Sequence, residues 1–182
     1  MLASVERAEA LRLLKIEHAA VRELIDALTD EEMTRTNTIR YGVYPDQRLS
    51  FKDLLAHLIT YEAYALEAIE AWEHGERHWV CDSIETARGD LEIHYGGIEA
   101  RAGLALAAVL AEWEQTQSTL EATFEALSDT AWRTPAPYDT DEPLDLGGML
   151  EPILVAPPRP LYRHLPVHIP DSAAYIRSLR RG

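Results

Sequence analysis

The chain has 182 residues, of which 47% are hydrophobic, and its 31 acidic and 17 basic side chains give a net charge of −14. The length and the hydrophobic fraction suit one domain over residues 1–182 with a packed core. The acidic balance argues against nucleic acid and against an anionic membrane surface as partners, because both attract basic proteins. The single cysteine, Cys81, excludes an internal disulfide. With no signal-like or membrane-spanning apolar stretch, we expect a cytoplasmic protein.

The first predicted helix covers residues 4–28. Its apolar residues recur at spacings of three and four, and charged residues occupy the other face. We assign Glu17 to the charged face, and we give no function to His18, which falls between Leu14 and Val21.

No regular element is predicted between this helix and the next. The segment LTDEEM that follows the first helix is predicted to turn. Residues 34–49 are predicted to form a loop, because Gly42 and Pro45 interrupt any regular pattern.

The clearest pattern in the chain predicts a second helix over residues 50–75. Ser50 and Asp53 match a capping box in which Asp replaces Glu, and Gly75 fits a helix stop. His57 falls on the apolar face, where a buried imidazole needs a partner for its ring nitrogens. It is either a core histidine bonded to a carbonyl or a tyrosine, or a metal ligand.

The next stretch, residues 76–99, has an ambiguous pattern. A short helix is possible near residues 83–90, and Gly96-Gly97 is predicted to mark a turn. So long a connection lets the chain cross over rather than fold straight back. A third helix is predicted over residues 100–127 from its apolar stripe.

Prolines dominate residues 128–160, which hold seven of the ten in the chain. That density predicts a segment without regular elements, which suggests a lid or an arm that embraces a second subunit. A final helix is predicted over residues 161–180 from apolar residues at helical spacing. It should begin near Pro166 or Pro170, because proline is tolerated only in a first turn.

His164 and His168 are four residues apart near the start of this final helix. On a helix their rings lie on one face and can share a metal ion at ~2.0–2.1 Å from each nitrogen. A third ligand, His57, would come from the second helix. Three neutral histidines leave coordination positions open for water, as in catalytic sites, and the set accepts zinc, nickel and iron(II) alike.

A second group of metal-ligating residue types competes with the first. His74 and His78 are also four residues apart, with Cys81 and His94 nearby. We rank this group lower, because Gly75 interrupts it and its residues resemble an exposed helix end. The two groups cannot be one site on a straight helix, since 17 residues separate positions 57 and 74, roughly 25 Å.

Two residues that follow His57 are candidates for lining a pocket. Tyr61 lies one turn further along the predicted helix, with core packing as the ordinary alternative. Glu62 could act as a general base on metal-bound water, as could Glu67, although we rank solvated helix residues above this role for both, because the chain has 31 acidic side chains to place.

Three stretches carry a resemblance to a known family. They are SFKDLLAHLITYEAYALEAIEAW, LEATFEALSDTAW and HLPVHIPDSAAYIRSL. Their layout resembles the DinB-like superfamily of four-helix bundles, and within it the ClbS/DfsB-like branch, over nearly the whole chain. The resemblance implies an all-α four-helix bundle with a long helix 2–3 connection and a proline-rich excursion before helix 4.

The resemblance also implies a site. Many members of the superfamily bind a divalent metal, often nickel or zinc, through one helix-2 histidine and a terminal H-x-x-x-H. Those positions map onto His57, His164 and His168. ClbS-like relatives can lack these three histidines, so this branch does not guarantee a metal.

Three classes of function follow. The first is a metal-dependent enzyme that acts on a small molecule, since relatives include hydrolases and thiol-dependent transferases and isomerases. The second is a metal-free binding or self-protection module that engages a small reactive compound. The third is a bundle with only an association role, and in each case a homodimer is expected.

Overall fold

The computed structural model describes residues 4–41, 44–84, 86–154 and 162–181. These residues form ten helices and one two-stranded antiparallel sheet. In chain order the elements are α1 (Arg7–Ala27), α2 (Asp30–Thr34), β1 (Ile39–Tyr41), β2 (Tyr44–Leu49), α3 (Phe51–Glu73), α4 (Val80–Ser83), α5 (Ala87–Arg101), α6 (Leu106–Ala126), α7 (Asp129–Trp132), α8 (Leu146–Leu154), α9 (Leu165–His168) and α10 (Ser172–Leu179).

The predicted all-α class is confirmed. Four of the helices in the described ranges, α1, α3, α5 and α6, are longer than ten residues. None of the helices there combines the length and the apolar character that crossing a lipid bilayer requires.

Helix α3 is the centre of the fold. It packs against α5, α6 and α8, and every residue from position 54 to position 62 is buried. Its start is the predicted capping box: the Ser50 hydroxyl accepts the Asp53 N–H at 3.3 Å, and the Asp53 carboxylate accepts the Ser50 N–H at 2.7 Å. Gly75, just past its end, has φ +80°, a conformation that favours glycine.

The core divides into two clusters of buried apolar side chains along α3. One surrounds its first half and includes Leu28, Ile39, Trp113 and Leu165. The other surrounds its second half and includes side chains of α7 and α8, such as Trp132. The boundary falls near Tyr61, one turn from His57, so the predicted site lies in the middle of the molecule.

The predicted loop at residues 34–49 is wrong, because β1 and β2 pair there. Ile39 pairs with Leu49, and both side chains are buried in the first cluster. Proline did not prevent the pairing, because both strands of a two-stranded sheet are edge strands, where it is tolerated. The segment LTDEEM also differs from the predicted turn: Thr29 caps the short helix α2 in a capping box with Glu32.

The predicted turn at Gly96-Gly97 is wrong as well, because both glycines lie inside α5. Gly97 faces α3 so closely that an added Cβ would lie 2.8 Å from the Thr60 Cβ. The close approach of the two helices therefore outweighs the cost of about 1 kcal/mol of a glycine inside a helix.

The prediction that the proline-rich segment has no regular elements is wrong, because the segment contains α7 and α8. Helix α8 includes Pro152 and buries six apolar or small residues. Packing against α3 stabilises this turn despite the missing N–H. Residues 155–161, with the remaining three prolines, lie outside the described ranges.

The final predicted helix is two helices, α9 and α10, separated by residues 169–171. Pro166 lies in the first turn of α9 and Pro170 lies between the two helices. Asp171 then caps α10 by accepting the Ala174 N–H at 2.9 Å. The third predicted helix likewise begins later, at Leu106, after α5 has ended at Arg101.

Candidate metal centre

Three histidines from two distant parts of the chain meet beside α3. His57 is fully buried in the second turn of α3, His164 directly precedes α9, and His168 is the last residue of α9. One nitrogen of each ring lies within 4.8 Å of the others, and the Nε2 atoms of His57 and His164 are 3.0 Å apart. The structure therefore brings together the three residues that the sequence singled out.

Helix α9 places His164 and His168 on one face. The Val167 N–H donates to the His164 carbonyl at 3.1 Å, and the Ile169 N–H donates to the Leu165 carbonyl at 2.8 Å. Pro166 does not break this single turn, because the first N–H groups of a helix have no partner within it. The centroids of the two imidazole rings are 5.1 Å apart, so Pro166 and Pro170 do not prevent the close approach that an H-x-x-x-H pair needs.

The three imidazoles fit a divalent metal ion. Tetrahedral bonds of ~2.0–2.1 Å place ligand nitrogens ~3.3 Å apart. The His57–His164 separation of 3.0 Å already matches this, and since no two of the three nitrogens are more than 4.8 Å apart, none has to close by more than about 1.5 Å, which side-chain rotation supplies. Neutral imidazoles suit zinc, nickel and iron(II).

The two predicted pocket residues both lie at this site. The Tyr61 ring meets the rings of His57 and His164 edge-on, with centroids 4.9 Å away in each case. Tyr61 and Glu62 line, with His164 and Glu17, a cavity of about 10 Å³. A volume of this size has room for about one water molecule.

Glu17 is a residue that the sequence reasoning missed. We placed it on the charged face of the first helix, but it is 4% exposed. One carboxylate oxygen accepts the Leu165 N–H, and the other lies 3.3 Å from Arg163 Nε. Burial raises the pKa of Glu17, against the lowering effects of the Leu165 hydrogen bond and the Arg163 charge. Glu17 thus fixes the segment that carries His164 and His168 to α1.

His18 is the second residue that was missed, because we gave it no function. It is buried between Glu62 of α3, 2.9 Å from its Nε2, and Glu121 of α6, 2.6 Å from its Nδ1. Burial opposes a charge on the ring, but the hydrogen bonds and charges of both carboxylates outweigh it and raise the pKa of His18. Its position between two core residues of α1, Leu14 and Val21, was the available signal.

The competing group of ligands does not form a site among the described residues. His74 Nδ1 donates to the Glu70 carbonyl at 2.9 Å, and His78 Nε2 lies 3.3 Å from Glu67. Over the described part of the chain, the one group of His, Cys, Asp or Glu with metal-site dimensions is the histidine trio at positions 57, 164 and 168. The side chain of His94 lies outside the described residues.

Comparison with known proteins agrees with the fold. A family model of the DinB superfamily matches residues 13–154. A search of curated proteins finds no match. Among solved structures, the colibactin self-resistance protein ClbS in complex with a dsDNA aligns with a TM-score of 0.70 at 11% identity, over 100% of this chain and 99% of that chain.

Two further structures share the architecture. An uncharacterised protein from Escherichia coli UTI89 aligns with a TM-score of 0.66 at 12% identity, over 97% of this chain and 90% of its own. DfsB, described as a sibling lethal factor precursor, aligns with a TM-score of 0.58 at 10% identity, over 98% and 95%. Such low identities show a shared fold and nothing finer.

The prediction that excluded nucleic acid is wrong, and the ClbS structure overturns it. That protein shares this fold and is in complex with a dsDNA. The exclusion rested on the net charge of −14. Net charge is a sum over the whole surface and does not give the local potential of any one face, so it cannot remove DNA from the candidate partners.

Proposed function

The chain belongs to the DinB superfamily, and on that basis we propose that it binds one divalent metal ion through His57, His164 and His168 and acts on a small molecule there. One observation carries the proposal: His57 and His164 are 107 residues apart in the chain, yet their Nε2 atoms face each other at 3.0 Å. Carbonyl or hydroxyl partners are enough to satisfy the two ring nitrogens of a core histidine, whereas three imidazoles that converge on one point are the arrangement of a metal site.

The proposed chemistry is hydrolysis or thiol-dependent transfer or isomerisation. A bound zinc or nickel ion would lower the pKa of a water or thiol and polarise the substrate. The chain's own residues would position the three histidines and exclude bulk water from them. Glu17 holds α9 in place, the Tyr61 ring packs against two of the imidazoles, and the burial of His57 keeps bulk water away.

Metal analysis of protein purified without a histidine tag tests the proposal. After treatment with a chelator and reloading with zinc or nickel, we expect about one ion per chain in the wild type, and close to none in His57→Ala or His164→Ala. His74→Ala is the matched control, because His74 bonds to the backbone of its own helix. Unchanged metal content in both His57→Ala and His164→Ala would show that the assignment of these histidines as metal ligands is wrong.

A second candidate is a metal-free self-protection module, and the ClbS likeness favours it. That self-resistance protein aligns over the whole of this chain. The test is a melting screen in the presence of a chelator, with small electrophiles and double-stranded DNA as additives. A rise in melting temperature with an additive, in protein shown to hold no metal, would support this second function over the first.

The expected homodimer remains a prediction. Exposed apolar side chains such as Trp79, which is 46% exposed, would lie in its interface. The mass from light scattering, for wild type and Trp79→Ser, decides between a dimer and a monomer.

A further inference from the structure

A row of three titratable side chains runs from the surface of α6 to the cavity beside the histidines. Glu121 has a side chain that is 27% exposed, whereas the side chains of His18 and Glu62 are 4% and 9% exposed. The ring of His18 joins the two carboxylates, with contacts of 2.6 Å to Glu121 and 2.9 Å to Glu62. The row therefore connects solvent with the interior.

The hydrogen bonds fix the number of protons in this row. An ionised carboxylate only accepts hydrogen bonds, and a neutral imidazole donates from just one nitrogen. Both contacts of His18 are satisfied when its ring carries two protons and both carboxylates are ionised. The row then has a net charge of −1. The other groups that interact with it among the described residues include the neutral ring of Trp113, edge-on to His18, the buried carboxyl of Glu17, which interacts with Glu62, and the ammonium of Lys15, which interacts with Glu121.

One carboxylate oxygen of Glu62 has no hydrogen-bond partner among the described residues. Its Oε1 accepts from His18, while Oε2 is buried and has no hydrogen-bond partner among the described residues. A buried carboxylate oxygen without a donor is energetically unfavourable. Glu62 also lines the water-sized cavity that His164 and Tyr61 share. Oε2 is thus the oxygen of Glu62 with no hydrogen bond in the described structure, in a side chain that lines that cavity.

We propose that Glu62 exchanges protons with the molecule bound at the histidine site, and that His18 and Glu121 carry the matching proton to and from solvent. This inference rests on the proposed function, since it needs a reaction at that site. In it Glu62 is the group that touches the reacting molecule, and His18 and Glu121 act through Glu62.

The proton balance closes at each step. When Glu62 Oε2 takes a proton, a new O–H bond forms on the carboxyl group. The His18 N–H bond at Nδ1 then breaks, and its proton passes to Glu121 and from there to water. His18 is left neutral and still donates from Nε2 to Glu62 Oε1. The charge of the row rises from −1 to 0 when Glu62 takes the proton and returns to −1 once Glu121 has released one to water, so the completed transfer leaves no added charge in the buried interior. The reverse sequence returns the proton from Glu62 to a leaving group.

Nitrogen NMR of ring-labelled histidine tests the coupling without a substrate. In the metal-free wild type at pH 7 we expect the His18 ring to carry two protons. Glu62→Gln imitates the protonated carboxyl group, so in this variant the ring should carry one. In Glu121→Gln the exchange of the ring N–H with solvent should slow, because an amide cannot carry a proton onward. Glu114→Gln, which removes an exposed carboxylate from the same helix, should change neither signal.

The outcomes separate this inference from the function on which it rests. A ring with two protons in Glu62→Gln, or with one in the wild type, overturns the proton path. If Glu62→Gln does not fold, Glu121→Gln decides alone, because its partly exposed position tolerates an isosteric amide: unchanged exchange overturns the path, and slowed exchange supports it. Metal content is measured on the same samples. Protein that shows the coupling but holds no metal contradicts the proposed function and not the path.

Discussion

Glu17 shows how one side chain can decide the geometry of a distant one. It is not part of the group that could hold a metal ion with the three imidazoles. Its carboxylate nevertheless accepts a hydrogen bond from the Leu165 N–H and forms an ion pair with Arg163, and these two residues flank His164. Partners that orient ligands in this way typically contribute a factor of 10–100 in metal affinity. The residue thus acts on the site through the backbone of α9.

If the three histidines hold a metal ion as proposed, replacing Glu17 should weaken its binding without removing any of the proposed ligands. We expect Glu17→Ala to lower zinc affinity about 10–100-fold, because α9 loses its anchor on α1. Titration calorimetry with zinc measures the change, and Glu23→Ala, an exposed carboxylate on the same helix, serves as control. Equal affinities in Glu17→Ala and the wild type would contradict the anchoring role.

His18 should make the stability of the protein depend on pH. Despite its burial, its two carboxylate partners raise its pKa, so the folded state binds the proton more tightly than the unfolded state does. Its contribution is therefore fully present below the unfolded value of about 6.5 and is lost as the pH rises through the folded value. The difference in unfolding free energy between the wild type and His18→Gln should shrink over that window.

Denaturant unfolding at a series of pH values measures this difference. His74→Gln is the control, since His74 lies at the exposed end of α3. A constant gap between the wild type and His18→Gln from acid to alkaline pH would contradict the assigned charge on His18.

At the level of elements, the contact between α3 and α5 depends on one glycine. An alanine at position 97 would press its Cβ against the Thr60 side chain, whereas an added Cβ at Gly96 would meet nothing within 4 Å. We expect Gly97→Ala to lower the free energy of unfolding by about 1–3 kcal/mol through overpacking. Gly96→Ala should raise it by roughly 0.5–1 kcal/mol, because alanine favours a helix. Chemical denaturation of both variants gives the comparison, and equal effects would contradict the close packing.

The start of α3 should depend on its capping box. Ser50→Ala removes the hydroxyl that accepts the Asp53 N–H, and it should cost about 1 kcal/mol. Ser50→Gly should cost only a few tenths. The measurement is again the midpoint of denaturant unfolding. A neutral Ser50→Ala variant would mean that tertiary packing alone fixes this helix end.

The elements that the sequence predicts well are those whose pattern is local. Periodic apolar residues and a capping signal place α1, α3 and α6 within a few residues, apart from the later start of α6. Apart from the missed helix α2, the errors concern glycine and proline, whose local preference was outweighed by distant contacts. Position 97 of α5 needs a glycine because Thr60 leaves no room for a side chain. Pro152 is tolerated inside α8 because that helix packs on α3. Periodicity contains no information about either contact.

The same distinction applies to the site. His164 and His168 were visible through their spacing, and His57 through its place on an apolar face and through the family resemblance. Glu17 was missed because its charged residue type outweighed its core spacing, and His18, left between core and surface, was given no function. Both fall at core spacing from Leu14 and Val21. A polar residue at core spacing is a signal of a buried network.

At the scale of the whole molecule, the histidine site joins parts of the fold that are far apart in the sequence. His57 belongs to the central helix, whereas His164 and His168 belong to a single turn that contacts α1 and β1. Short elements that few apolar contacts hold are the first to open locally. A metal that bridges α3 and α9 would therefore act as a cross-link between the centre of the fold and its carboxyl-terminal end.

This leads to a prediction about global stability. A ligand that binds only the folded state stabilises it by about 2.7 kcal/mol at a free concentration of 100 times its dissociation constant. Zinc or nickel should thus raise the melting temperature of the wild type and should protect the backbone of residues 162–168 from hydrogen exchange. In His168→Ala, which loses the partly buried ligand and the least packing, both effects should be reduced or absent. Metal that raised the melting temperatures of the wild type and His168→Ala equally would bind elsewhere on this acidic surface, and the bridge between α3 and α9 would then have no part in the stability of the fold.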